Sequence, residues 1–192
     1  VHIDLFDRLP SPYGLVRSGV APDHQTIKKI ERAFARTAEK PNVRFFGNVS
    51  LGRDVSVADL RAHYHGIIYT VGAESFRKIG LPGQECRQVR SATEFVFWYN
   101  GHPQYCDRSF SLDNVRRVAI VGVGNVAIDV TRILAQDRDV LAATDISTTA
   151  LEALRAAPIE EIILMGRRGP AQAAFSLPRR SRSCPSCPTS TW

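Results

Sequence analysis

The residues of this chain whose type and spacing could do chemistry begin with Gly122, Gly124 and Ala127. They follow the apolar, β-branched run Val118-Ala119-Ile120-Val121 and open a helix-compatible pattern. Strand, glycine turn and helix in that order are the layout of a dinucleotide-binding βα turn. Gly122 permits the tight turn, Gly124 lets the backbone approach a pyrophosphate, and Ala127 is small enough for the helix to pack on its strand. The free N–H groups and positive dipole end of the helix would then face the phosphates.

A second cluster, Gly166-Arg167-Arg168-Gly169-Pro170, closes the next strand candidate. An NAD site would place an acidic residue near such a strand end to take a ribose hydroxyl. Paired arginines fit a 2′-phosphate instead, which points to NADP, with a solvated basic turn as the plainer alternative. Asp7, just past the first strand candidate, is placed either to take ribose hydroxyls or to sit in a solvated turn. His63 and His65 have His-x-His spacing without an evident third ligand and read as surface histidines, so no metal site is assigned. Cys184-x-x-Cys187 has the spacing of a redox or half-zinc motif, but the flanking prolines and the lack of a partner pair argue against both. No Ser/His/Asp or Cys/His constellation stands out.

The elements that must position these residues belong to an ordinary globular composition, 44% hydrophobic with a net charge of +6. Half of that charge comes from Arg179, Arg180 and Arg182, in a tail without acidic residues. The mildly basic body gives no argument for nucleic acid, and no apolar run reaches the length of a membrane span. Four cysteines, at 86, 106, 184 and 187, show no disulfide framework, and a reducing intracellular setting is the default.

Val1–Phe6 reads as the middle of a strand, so the chain looks cut at its start. Leu9-Pro10-Ser11-Pro12-Tyr13-Gly14 breaks that strand, and Gly14–His24 reads as a ligand-contacting loop. Asp23 is a candidate N-cap for a helix over about 25–40 with an apolar stripe of Ile27, Ile30, Phe34 and Ala38. Val43–Phe46 and Val49–Leu51 are short strand candidates around Gly47-Asn48. Ser56 and Asp59 suggest a capping box for a helix to about Tyr64, and Gly66–Ala73 has the pattern of a buried strand ending on small residues. Leu81-Pro82-Gly83 is a turn, Ala92–Tyr99 is aromatic core, and the polar residues 101–114 are a candidate linker. Helices are predicted over about 125–136 and 145–154, with a strand at Ile159–Met165. The Arg/Ser/Pro/Cys-rich stretch from Pro178 onward has no periodicity and is expected to be disordered.

These residues resemble the adrenodoxin reductase family, flavoproteins that pass electrons from NADPH to ferredoxin-type iron–sulfur proteins. The matching wording is Leu9-Pro10-x-Pro12-Tyr13-Gly14-Leu15-Val16-Arg17-x-Gly19-Val20-Ala21-Pro22-Asp23-His24, Phe46-Gly47-Asn48-Val49, Trp98-Tyr99-Asn100, Gly124-Asn125-Val126-Ala127-x-Asp129 and Gly166-Arg167-Arg168-Gly169-Pro170. It runs from residue 1 to about Phe175 and is closer to bacterial than to mitochondrial members. The resemblance implies an α/β, Rossmann-like two-dinucleotide-binding flavoprotein architecture: a partial FAD-binding domain over 1–110, an NADP-binding domain over 111–177 and an atypical tail over 178–192. It implies FAD contacts at Asp7 (where many members have Glu), Leu15 and Leu51. NADP contacts would fall at Val123, Gly124, Asn125 and Val126, with Arg167 and Arg168 on the 2′-phosphate. It also implies His24 and Asp129 as the catalytic pair near flavin and nicotinamide, orienting the cofactor or delivering protons.

Three departures separate the chain from that family. The FAD-binding Gly-x-Gly-x-x-Gly turn with its strand is absent, and Arg179 stands where the family has a Glu that helps hold NADP. The C-terminal segment that returns to cover FAD is missing. The sudden loss of pattern at Pro178 suggests a fragment whose tail is read in another frame. The implied activity is that of an NADPH-dependent ferredoxin or adrenodoxin reductase, with NADPH and an iron–sulfur protein as partners. Its setting would be the bacterial cytoplasm, or the mitochondrial matrix in a eukaryote. The alternatives are an NADP-binding fragment without turnover and another two-dinucleotide flavoprotein, such as a glutamate synthase small subunit.

Overall fold

The structure, a computed structural model, describes residues 1–72 and 80–167. Ala73, Arg168 and the tail with Cys184 and Cys187 lie outside the described residues. By contacts the chain divides into two compact units, Val1–Arg17 with Thr26–Gly80, and Ser18–Gln25 with Leu81–Trp192.

In the first unit, β1 (Ile3–Phe6) and β2 (Val43–Phe46) pair in parallel, with Ile3 opposite Val43 and Phe6 opposite Phe46. The ligand loop expected over 14–24 begins instead as a short helix, α1 (Gly14–Ser18), entered through a left-handed Tyr13 at φ 84°. The predicted 25–40 helix is two pieces, α2 (Gln25–Lys28) and α3 (Glu31–Ala38). Around Ile30 the amides of Ile30, Arg32 and Ala33 bond three residues back, a tightened turn that interrupts the α-helical ladder. Ile27, Ile30 and Phe34 stay about 40% exposed, although α3 packs on β2. The capping box is as read: Ser56 Oγ accepts from the Asp59 amide, Asp59 accepts from the Ser56 amide, and α4 (Val57–His63) follows.

Two strand expectations fail. Left-handed Asn48 (φ 59°) turns the chain back along the end of β1, where the Val49 amide bonds Asp7 and Leu51 makes only an isolated bridge to Val55. Residues 66–72 form no strand, and Ile68 is 87% exposed. A strand needs a partner for its backbone groups, and no described strand pairs with this one. Leu60 is the buried apolar side chain among the described residues of this unit.

The second unit holds α5 (Ala92–Tyr99), β3 (Arg117–Val121), α6 (Asn125–Ala135), α7 (Arg138–Ala142), α8 (Thr148–Ala156) and β4 (Glu161–Met165). β3 and β4 are parallel, Arg117 opposite Glu161 and Val121 opposite Met165, with the three helices α6–α8 as the crossover. This is one βαβ step of a Rossmann-like fold. Ser91 caps α5 by accepting from the Thr93 amide, and α5 packs against α6 and α8. Its Trp98 and Tyr99 join Ile133, Leu141 and Leu154 in a core that water does not reach. The 101–114 stretch, read as a linker, lies inside this unit, where the Phe110 ring packs edge-on to Phe95 at 5.4 Å and tilted against Trp98 at 4.9 Å. No described helix is long and apolar enough to cross a membrane.

Candidate functional site

The glycine turn at Gly122 and Gly124 is built where β3 ends. The Gly122 amide donates to the Met165 carbonyl at 2.8 Å, so the end of β4 lies beside the turn. Gly122 has φ 134°, a conformation that a side chain rarely adopts, and Gly124 is the extended N-cap of α6 (φ −97°, ψ 178°). No side chain caps α6, and a Cβ added at Gly124 would meet nothing within 4 Å. The residues around the start of this helix are half-buried or exposed, while Ala127 is buried against the core. An uncapped N-terminus of an eleven-residue helix, open above a glycine, is the donor set a phosphate needs. Arg167, two residues past β4, is exposed on the same end of the sheet.

His24 and Asp129, 105 positions apart in sequence by numbering, are brought together in this same unit. His24 Nε2 lies 3.4 Å from Asp129 Oδ1 and is buried without a hydrogen bond. Sequence reasoning missed what surrounds them. Arg132, one turn along α6, donates from Nη1 to Asp129 Oδ1 at 3.0 Å. It also grips Asp23 through two bonds, Nη2 to Oδ1 at 2.7 Å and Nε to Oδ2. Asp23, expected as a helix cap, therefore spends its carboxylate on an ion pair. Burial pulls the Arg132 guanidinium down, but the bonds from Asp23 and the charge of Asp129 outweigh it and hold it above the usual arginine value. The available signal was the i,i+3 spacing of Asp129 and Arg132, with Arg132 on the face that Ile133 and Val130 bury.

Asp7, Leu15 and Leu51 sit in the first unit. The Asp7 side chain accepts from the Leu9 amide at 2.9 Å, closing the turn after β1. Its backbone carbonyl takes the Val49 amide, which leads the chain toward Leu51. Leu15 and Leu51 are exposed. An open hollow of this unit, lined by Arg61, Tyr64, His65, Gly66, Ile67 and Tyr69, contains none of the predicted site residues.

No family model matches the chain. Among curated proteins it is 52% identical over 176 residues to the NADPH-ferredoxin reductase FprA of Mycobacterium leprae, covering 92% of this chain and 38% of that protein. It is 49% identical over 175 residues to the mitochondrial NADPH:adrenodoxin oxidoreductase of Arabidopsis thaliana, covering 91% and 36%. A solved structure of FprA, a Mycobacterium tuberculosis oxidoreductase, matches with TM-score 0.88 at 50% identity, covering 91% of this chain and 38% of that one. The same FprA, solved in complex with NADPH, matches equally well. The chain thus spans less than two fifths of the length of these relatives. Over that shared stretch, in sequence and in fold, it is a homologue of the NADPH-ferredoxin and NADPH:adrenodoxin reductases.

Proposed function

We propose that this chain carries the NADP site of an NADPH-dependent flavoprotein reductase whose electron acceptor is a ferredoxin- or adrenodoxin-type iron–sulfur protein. The observation that carries the reading is the uncapped start of α6 behind Gly122 and Gly124, with β4 delivering Arg167 to the same end of the sheet. The backbone of Val123, Gly124, Asn125 and Val126 would hold the pyrophosphate, and Ala127 lets the helix approach its strand. Arg167 and Arg168 would take the 2′-phosphate as a cationic pair. When bound, NADPH supplies a hydride and FAD accepts it and releases single electrons. His24 and Asp129 would border the nicotinamide, orienting it or holding a proton at the His24 ring edge. Relatives from mycobacteria and from plant mitochondria make the bacterial cytoplasm and the mitochondrial matrix the two compartments to consider.

The nucleotide reading is tested by titrating the chain with NADPH and NADH beside an Arg167→Ala, Arg168→Ala variant. Loss of the charge-assisted contacts should weaken NADPH by about tenfold or more and leave NADH unchanged. An undiminished NADPH preference would sink the 2′-phosphate assignment.

A further inference from the structure

We infer that Arg132 is a positioning residue, which docks the Ser18–Gln25 segment on α6 and thereby holds His24 against Asp129. This rests on the proposed role of His24 and Asp129.

By contacts, residues 18–25 belong with the second unit, while residues 1–17 and 26–80 belong to the first. Named contacts fasten these eight residues within the second unit. Ala21 is buried in the core of the second unit, and Pro22 is fully buried. The directional bonds are polar. Asp23 is gripped on both oxygens by Arg132, and Gln25 Nε2 donates to Asp145 Oδ1 at 3.1 Å. The Gln25 bond is exposed, so water competes for it, whereas the Arg132 side chain is 4% and Asp23 15% accessible.

The guanidinium does a second task with the nitrogen it has left. Nη1 takes Asp129 Oδ1, the same oxygen that lies 3.4 Å from His24 Nε2. One planar cation therefore sets both partners: it fixes the carboxylate from α6 and the loop that carries the imidazole. Lysine could pair with one carboxylate, but a single ammonium has no rigid fork to span two at set angles. His24 contributes no hydrogen bond of its own through Nε2, and its backbone amide bonds only within the loop, to Ala21 at 2.9 Å. Its place beside Asp129 is thus inherited from Asp23 and Arg132.

The test uses the full 192-residue chain and three variants, Arg132→Gln, Arg132→Lys and Asp23→Asn. Two rates are followed: amide hydrogen exchange by peptide, and modification of His24 by diethyl pyrocarbonate. In Arg132→Gln, exchange in 18–25 and His24 modification should each rise about tenfold or more, the loss of charge-assisted bonds being of that order. Exchange in β3 and β4 should not change. Arg132→Lys should recover part of the effect, and Asp23→Asn should loosen the loop in the same way. Unchanged His24 reactivity in a folded Arg132→Gln chain would overturn the inference. So would a rise spread equally over β3 and β4, which marks a general stabilising role. Should Arg132→Gln fail to fold, the same measurements on Asp23→Asn decide. A wild-type chain that binds no NADPH would defeat the functional reading and leave the Arg132 result standing.

Discussion

Asp4 and Arg44 face each other directly in the β1–β2 register and meet through two hydrogen bonds, Nε to Oδ1 at 2.8 Å and Nη2 to Oδ2 at 2.7 Å. Tyr64, just past α4, donates its hydroxyl to the same carboxylate. The Arg44 guanidinium, then the Tyr64 hydroxyl, hold the Asp4 carboxyl below its ordinary value of 3.8. A carboxylate lowered in the folded state stabilises above the unfolded value and loses that contribution as pH falls through the folded one. Asp4→Asn should therefore destabilise the first unit at pH 7 and make progressively less difference below about pH 4. Urea unfolding of both proteins at the two pH values checks this; an equal difference at both would count against it.

Gly122 should not tolerate a side chain. At φ 134° an alanine is strained whatever space surrounds it. Gly122→Ala is expected to cost more than about 1 kcal/mol of stability and to weaken NADPH binding, measured by denaturant unfolding and nucleotide titration.

Burial separates the two units energetically. Ile133 is fully buried at the centre of the second unit, and Ile133→Ala should cost about 2–5 kcal/mol. Phe34 on α3 is 40% exposed, so Phe34→Ala should cost markedly less. Equal losses in calorimetric melts would contradict this distribution of core.

Arg138 acts as a clamp between helices. It donates to the carbonyls of Ile133, Leu134 and Gln136 at the end of α6 and to Leu154 in α8. Its burial pulls its pKa below the usual arginine value. Arg138→Met keeps the stem but strands those acceptors, and should cost at least about 2 kcal/mol. Faster amide exchange at the end of α6 is the expected signature.

Much of the second unit was legible because its signals are local. Val118–Val121, the glycine turn and the periodicity from Asn125 are contiguous, and a parallel strand pair with a helical crossover follows from their order. Ser56 and Asp59 likewise complete their box within four residues. Helix α7, capped by Asp137, escaped notice because five residues offer too little periodicity to read.

Patterns that depend on distant partners were misread or unreadable. Residues 66–72 have a strand's composition, yet composition supplies no neighbour for its amides. Asp23 before a helical run looks like a cap, but a carboxylate goes to the stronger partner, and Arg132 is 109 residues away. By itself, then, the sequence determined the strand–turn–helix unit around Gly122 and Gly124, because strand, glycines and helix need only each other. The tertiary structure alone decided that half-buried Asp23 and His24 join buried Asp129 and Arg132 in one cluster, since Coulomb attraction and burial act between residues that the chain order keeps apart.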